Sequence, residues 1–139
     1  MTSKPIRVLL VDDQTLVRQG VRSLLSLADG IEVVAEAGDG KQAIEMIPQV
    51  KPDVVLMDMR MPVMSGLEAL QALARTGQLP PTIILTTFDD DQLVLAGIKA
   101  GAKGYLLKDV SLEQLVGAIQ TVSSGGSLVQ PAVTQRLLS

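Results

Sequence analysis

The sequence contains no cysteine and no histidine. Without cysteine there is no disulfide, no thiol nucleophile and no cysteine metal site. Without histidine the chain lacks the commonest general base and the commonest zinc ligand. Aromatic residues are almost absent: Phe88 and Tyr105 stand alone, too few to build a stacking platform for bases. Positive charge is not in excess. The net charge is −3, which argues against nucleic-acid binding by this chain itself. No apolar run reaches the roughly 18 residues that a membrane span needs. Met1-Thr2-Ser3-Lys4-Pro5 leads directly into a strand-like run and lacks the architecture of a secretory signal. The expectation is a cytoplasmic protein with no membrane contact.

What is present is a chain of 139 residues, 47% of them hydrophobic. That suits one globular domain with enough length to bury a core. Ile6 to Val11 is an apolar run of strand length ending in Asp12-Asp13. Leu16, Val17, Gly20, Val21, Leu24 and Leu25 then recur at helical spacing, and the helix is expected to stop near Asp29-Gly30. Ile31 to Ala37 alternates as a second strand. Lys41 to Val50 reads as a helix that Pro48 should kink or shorten. A third helix carries Leu67, Leu70, Leu73 and Ala74. Thr82 to Thr86 is a strand, Asp89-Asp90-Asp91 begins a helix, Lys103 to Leu107 is a short strand, and Ser111 caps a fifth helix with the usual capping box displaced by one position. Ser123 to Ser127 reads as a linker, and Pro131 opens a further helix too short to be stable alone. The expected organisation is a domain over residues 1–124. Residues 125–139 would be a linker and the start of a helix leading to a second domain beyond the chain.

The chain is organised around Pro52-Asp53-Val54-Val55-Leu56-Met57-Asp58, in which Asp53 to Met57 reads as a buried strand with Asp58 at its carboxyl end, before Pro62 and Gly66. Strand and helix alternate five times, which implies a mostly parallel sheet covered on both faces. In such a sheet all strand carboxyl ends lie on one edge, where ligands bind. Asp12, Asp13, Asp58, Thr86 and Lys108 all fall just after strands or at their ends, so they converge although distant in sequence. Singly, each has an ordinary reading: helix cap for Asp12 or Asp13, turn former for Asp58, strand residue for Thr86, solvated charge for Lys108. Together they suit a magnesium ion and a phosphoryl group, because three carboxylates in one crevice repel unless a cation sits among them. Asp58 is then the candidate nucleophile, with Lys108 and Thr86 contacting phosphoryl oxygens.

Val8-Leu9-Leu10-Val11-Asp12-Asp13, Asp58-Met59-Arg60-Met61-Pro62 with Ser65-Gly66, Leu85-Thr86-Thr87, and Gly101 to Asp109 together resemble the receiver domain of two-component response regulators. The loops and the Gly125-Gly126-Ser127 stretch resemble the NarL/FixJ subfamily, which carries a LuxR-type helix-turn-helix domain after the receiver. The resemblance implies a flavodoxin-like (βα)5 fold with strand order 2-1-3-4-5. It implies that Asp58 accepts a phosphoryl group from a histidine of a sensor kinase. Magnesium would be bound by Asp12, Asp13, Asp58 and the backbone carbonyl of Arg60. The backbone N–H groups of Arg60 and Thr87 would hold phosphoryl oxygens, and Thr86 and Tyr105 would form a switch pair. It further implies a homodimer on phosphorylation and DNA contact only through the C-terminal domain. The chain would be a phosphoacceptor, not an enzyme, with slow self-phosphorylation from small donors. Asp109 stands where many receivers have proline after the lysine with a cis bond, so the resemblance does not carry that cis bond over to Lys108–Asp109.

Three other readings compete. A phosphohydrolase of the haloacid dehalogenase type would want a second aspartate where Arg60 stands, and its nucleophile would follow the first strand. A nucleotide-binding α/β domain would want a glycine-rich loop after that strand. A degenerate, phosphate-independent receiver would not need all five residues.

Overall fold

The computed structural model describes residues 4–87 and 91–129. Five strand–helix units appear in the expected order: β1 (Ile6–Val11), α1 (Thr15–Leu25), β2 (Ile31–Ala37), α2 (Gly40–Val50), β3 (Val54–Asp58), α3 (Gly66–Arg75), β4 (Thr82–Thr86), α4 (Asp91–Lys99), β5 (Gly104–Leu107) and α5 (Leu112–Ser123). A short β6 (Leu128–Val129) follows. All paired strands run parallel, and the sheet order is β2-β1-β3-β4-β5-β6. The flavodoxin-like order 2-1-3-4-5 is therefore present, extended at one edge by β6.

Two-residue periodicity sorts each central strand between two cores. Leu9, Val11, Val55, Met57, Ile84 and Tyr105 pack with Ala43, Ile47, Ala69, Leu70, Leu73 and Val94 of α2, α3 and α4. Val8, Leu10, Val54, Leu56, Ile83 and Leu106 pack with Leu25 of α1 and Leu115, Ala118, Ile119 and Val122 of α5. β1 and β3 are covered on both faces, which is why they read as continuous apolar runs.

Several local expectations need correction. The first helix ends at Leu25, not near Asp29-Gly30; the Ser26 N–H bonds back to the Arg22 carbonyl, and Gly30 has φ +81° in the following turn. Pro48 neither ends nor shortens α2, which runs on to Val50 and closes with the Lys51 N–H on the Ile47 carbonyl. Proline there removes the bond its own N–H would make to the carbonyl four residues back and crowds that carbonyl with its ring, and two further residues follow it in the helix. The capping box of α5 is complete: the Ser111 hydroxyl accepts from the Gln114 N–H while the Gln114 side chain accepts from the Ser111 N–H. Ser65 and Glu68 cap α3 in the same way. Leu128 and Val129, in the stretch read as a linker, pair with Gly104 and Tyr105. The acids Asp89 and Asp90 and the expected helix at 131–139 lie outside the described residues.

Candidate functional site

The strand ends bring the predicted residues to one edge. Asp12 follows β1 and is 6% exposed. Its backbone N–H bonds to the Ala37 carbonyl, and its Oδ1 accepts from the Gln14 N–H at 2.9 Å. Asp13 next to it is exposed. Asp58 is the last residue of β3, half-buried. One carboxylate oxygen from each of Asp12, Asp13 and Asp58 lies within 4.8 Å of the others. Lys108, just past β5, places Nζ 3.2 Å from Asp58 Oδ2 and 3.4 Å from Asp12 Oδ2. The Arg60 N–H points back to Asp58 Oδ1 at 3.5 Å. Thr86 closes β4 beside Leu107, and Thr87 is exposed just after it; the Thr86 side chain lies outside the described structure. Among the described residues the peptide bonds, including Lys108–Asp109, are trans.

Gly66 lets the loop after β3 fold tightly against the nucleophile candidate. A Cβ there would lie 2.1 Å from the Asp58 carbonyl oxygen, so no side chain fits, and the Gly66 N–H bonds to the Met59 carbonyl at 2.9 Å. Tyr105 does not sit among the carboxylates. Its ring is fully buried in the core shared with α4, where a Cβ on Gly97 would come within 3.3 Å of Tyr105 Cε2 and 3.1 Å of Met59 Cε. Glycine at that position leaves the ring its place.

Three carboxylates against one ammonium leave the cluster with a net negative charge. Burial pushes the Asp58 carboxyl above its ordinary value. The charge of Asp12 adds to the rise, and Lys108 and the Arg60 N–H only partly oppose it. Burial also works against the charge of Lys108, but the carboxylates of Asp58 and Asp12 outweigh it and hold the amine above its ordinary value, a cation at neutral pH. Oxygen-only donors, acceptor-rich and short of positive charge, fit a hard divalent cation such as magnesium.

The profile of the response regulator receiver domain matches residues 8–120. The chain belongs to that family. This receiver domain is 48% identical over 133 residues to the nitrate/nitrite response regulator protein NarP of Escherichia coli (strain K12), covering 96% of this chain and 62% of NarP. The crystal structure of ChrA, a response regulator in a heme-sensing two-component system, superposes with a TM-score of 0.84 at 42% identity, over 98% of this chain and 65% of that one. A LuxR-family two-component response regulator from Aurantimonas superposes with a TM-score of 0.89 at 32% identity, over 97% of this chain and 96% of that one. The receiver domain thus spans less than two thirds of the length of the curated relatives it matches. Those relatives are transcriptional regulators of the NarL/LuxR kind, in agreement with the subfamily resemblance. Among the described residues no helix is long and apolar enough to cross a membrane.

One pair of residues with a bearing on the site was not among the sequence candidates. Arg18 of α1 and Glu36 of β2 form an ion pair at 3.1 Å, and the Arg18 guanidinium also donates to the Asp12 carbonyl. An arginine on a helix and a glutamate in an alternating strand each read as solvated positions. Only the parallel pairing of β1 with β2, which sets Glu36 beside Leu10, brings them together.

Proposed function

We propose that this receiver domain accepts a phosphoryl group on Asp58 from a histidine of a sensor kinase, and that the phosphorylated form promotes homodimerisation and controls a C-terminal DNA-binding, transcription-regulating domain. The observation that carries the reading is the convergence of the half-buried Asp58 carboxylate with Asp12, Asp13 and the Lys108 ammonium at one edge of the sheet. Such a site has a nucleophile, a place for a cation and a fixed positive charge within a few ångströms.

In the transfer, an Asp58 carboxylate oxygen forms a bond to phosphorus as the bond from phosphorus to the donor imidazole nitrogen breaks. The imidazole keeps the electron pair. Lys108 neutralises charge on the phosphoryl oxygens, and the backbone N–H groups of Arg60 and Thr87 and the Thr86 hydroxyl take the remaining acceptor positions. Asp12, Asp13, Asp58 and the Arg60 carbonyl would hold magnesium, which supplies charge neutralisation at the phosphoryl group when bound. The product is a modified protein, not a released compound, so the domain acts as a switch with slow self-phosphorylation and self-dephosphorylation. The new charge shifts a conformational equilibrium only through contacts that differ between two states, typically about 1–3 kcal/mol of coupling. Thr86 and Tyr105, on neighbouring strands between the site and α4, are assigned as the pair that carries this shift.

The test is phosphorylation by acetyl phosphate, with magnesium and with chelator, read by intact mass beside Asp58→Asn. A single adduct that needs both magnesium and Asp58 is expected. A folded wild type that gains no adduct would overturn the reading and leave a phosphate-independent interaction module. Steady hydrolysis of many phosphate esters would point to a phosphohydrolase instead.

A further inference from the structure

We propose that Arg18, anchored by Glu36, is a positioning residue for the acidic site: it fixes the peptide unit that joins Asp12 to Asp13. The proposal rests on the reading above that these two acids serve a cation site. All three guanidinium nitrogens of Arg18 are engaged. Nε donates to Glu36 Oε1 at 3.1 Å, Nη1 donates to the Asp12 backbone carbonyl, and Nη2 reaches Thr15 Oγ1 at 3.4 Å. The side chain is only 17% exposed and so is held in place. Glu36 is fixed in turn by the strand pairing and by Arg22, whose Nη1 lies 2.6 Å from Glu36 Oε2. The Glu36 carboxyl is held below its ordinary value, first by the bond from Arg22 and, against burial, by the bond from Arg18.

The geometry explains why this matters to the site. Asp12 lies one residue past the end of β1 and keeps its bond to β2 through its N–H; among the described residues the hydrogen bond to its carbonyl is the one from Arg18. That oxygen belongs to the same planar peptide unit as the Asp13 N–H. Rotating the plane changes ψ of Asp12 and φ of Asp13 together and swings the Asp13 carboxylate, which is otherwise exposed. Asp12 is already pinned at its N–H by Ala37 and at Oδ1 by Gln14. Arg18 completes the set, and its forked donors span three acceptors in a way that a lysine cannot.

The experiment compares wild type, Arg18→Ala, Arg18→Lys and Arg22→Ala in the 139-residue chain. Magnesium affinity is read by amide chemical-shift titration with magnesium chloride, phosphorylation rate by acetyl phosphate at several magnesium concentrations, and thermal stability in chelator. For Arg18→Ala the magnesium dissociation constant is expected to rise about tenfold or more, with the phosphorylation rate recovering at saturating magnesium. Arg18→Lys is expected to fall between, and Arg22→Ala, which shares Glu36 but does not reach Asp12, to stay near wild type. Arg18→Ala or, should that variant not fold, Arg18→Lys binding magnesium as wild type does would overturn the proposal while leaving Asp58 phosphorylation intact. A purely structural role would lower stability in chelator without moving the magnesium constant, and that result also overturns it. Wild type that binds magnesium without phosphorylation would sink the phosphoacceptor reading alone, with the positioning role still decided by the same comparison. Wild type that binds no magnesium would sink both.

Discussion

An aspartate stands at each end of β3, Asp53 just before it and Asp58 as its last residue, and the two are treated in opposite ways. At the amino end Asp53 is exposed. Its Oδ2 accepts from the Arg7 N–H at 2.8 Å, while its own N–H bonds to the Arg7 carbonyl at 2.8 Å. Arg7 in turn reaches the Lys51 carbonyl through Nη1 at 2.9 Å. In this local arrangement the Asp53 carboxylate, the Asp53 N–H and the Arg7 guanidinium each have a hydrogen-bond partner. At the carboxyl end Asp58 is half-buried beside two other carboxylates, with one ammonium among three acids. Its pKa is raised because burial outweighs the attraction of Lys108. The first aspartate ties a strand to its neighbour. The second is held in an excess of negative charge that a bound cation would relieve. A site whose polar groups are left under-compensated in the free protein marks function more clearly than the residue type does.

The largest effect that would sharpen this contrast concerns the two cations. Lys108→Ala removes the fixed positive charge facing Asp58, and phosphorylation by acetyl phosphate at saturating magnesium should slow about 100-fold. Arg7→Ala removes the cation at the other end and should leave that rate within about twofold, since the guanidinium bonds to the Lys51 carbonyl, far from Asp58, and the bonds to Asp53 are made by the Arg7 backbone. Equal losses in both variants, measured by intact mass against time, would break the comparison.

Next comes stability, where the signs should be opposite. Because the Asp58 pKa is raised in the folded chain, its ionised form at neutral pH opposes folding. Asp58→Asn should therefore raise metal-free stability by about 1 kcal/mol at pH 7. Asp53→Ala leaves the Arg7 N–H without its acceptor and should lower stability by about 1 kcal/mol. Urea melts in chelator, with both variants beside wild type, check the pair. If Asp58→Asn is the less stable of the two, the carboxyl edge is not the strained one.

How much of this contrast was legible in the sequence follows from which forces are local. The apolar runs of β1 and β3 and the acids that end them are local, and the rule that parallel strands share one carboxyl edge did the rest for Asp12, Asp13, Asp58 and Lys108. Asp53 was readable only as a strand boundary, because its partner Arg7 lies on another strand. The Arg18–Glu36 pair was missed for the same reason: eighteen residues separate the two, and their meeting depends on the register of β1 against β2. The end of α1 at Leu25 was misplaced because the turn after it carries its glycine five residues on. Pro48 misled because its lost bond and ring crowding fall on the turn before it, and α2 still runs two residues past it to Val50. The strand at Leu128–Val129 was hidden by the glycines before it, since a two-residue strand has no periodicity of its own.

A smaller effect is the pH dependence of the clamp beside Asp12. Glu36 has a folded pKa below its ordinary value of 4.5, set first by the bond from Arg22. Its contribution to stability is then fully present above that ordinary value and is lost as pH falls through the depressed folded value. Glu36→Gln should narrow the stability gap to wild type as the pH is lowered below about 4.5, in urea melts from pH 7 to pH 3. A gap that stays constant over that range would show that the Arg18 and Arg22 bonds do not depend on the Glu36 charge.

The smallest effect tests where backbone strain is kept. Among the described residues two that are not glycine have positive φ, and they flank β3: Lys51 at 51° before it and Val63 at 67° after it. Lys51 is anchored, its N–H on the Ile47 carbonyl and its own carbonyl taken by Arg7. Val63 is 78% exposed in the loop that follows Asp58, and as a β-branched residue it is ill suited to the left-handed region. Left-handed backbone costs a residue with a Cβ roughly 1–2 kcal/mol, while glycine costs about 0.5–1 kcal/mol in unfolded-state freedom. Val63→Gly should therefore raise stability by about 0.5–1 kcal/mol. Lys51→Gly should change it less, because an unbranched side chain tolerates that region better. Thermal melts in chelator decide the order. A larger gain at Lys51 than at Val63 would place the strain at the amino end of β3, away from Asp58, and remove the backbone part of the contrast while leaving the electrostatic part to stand by itself.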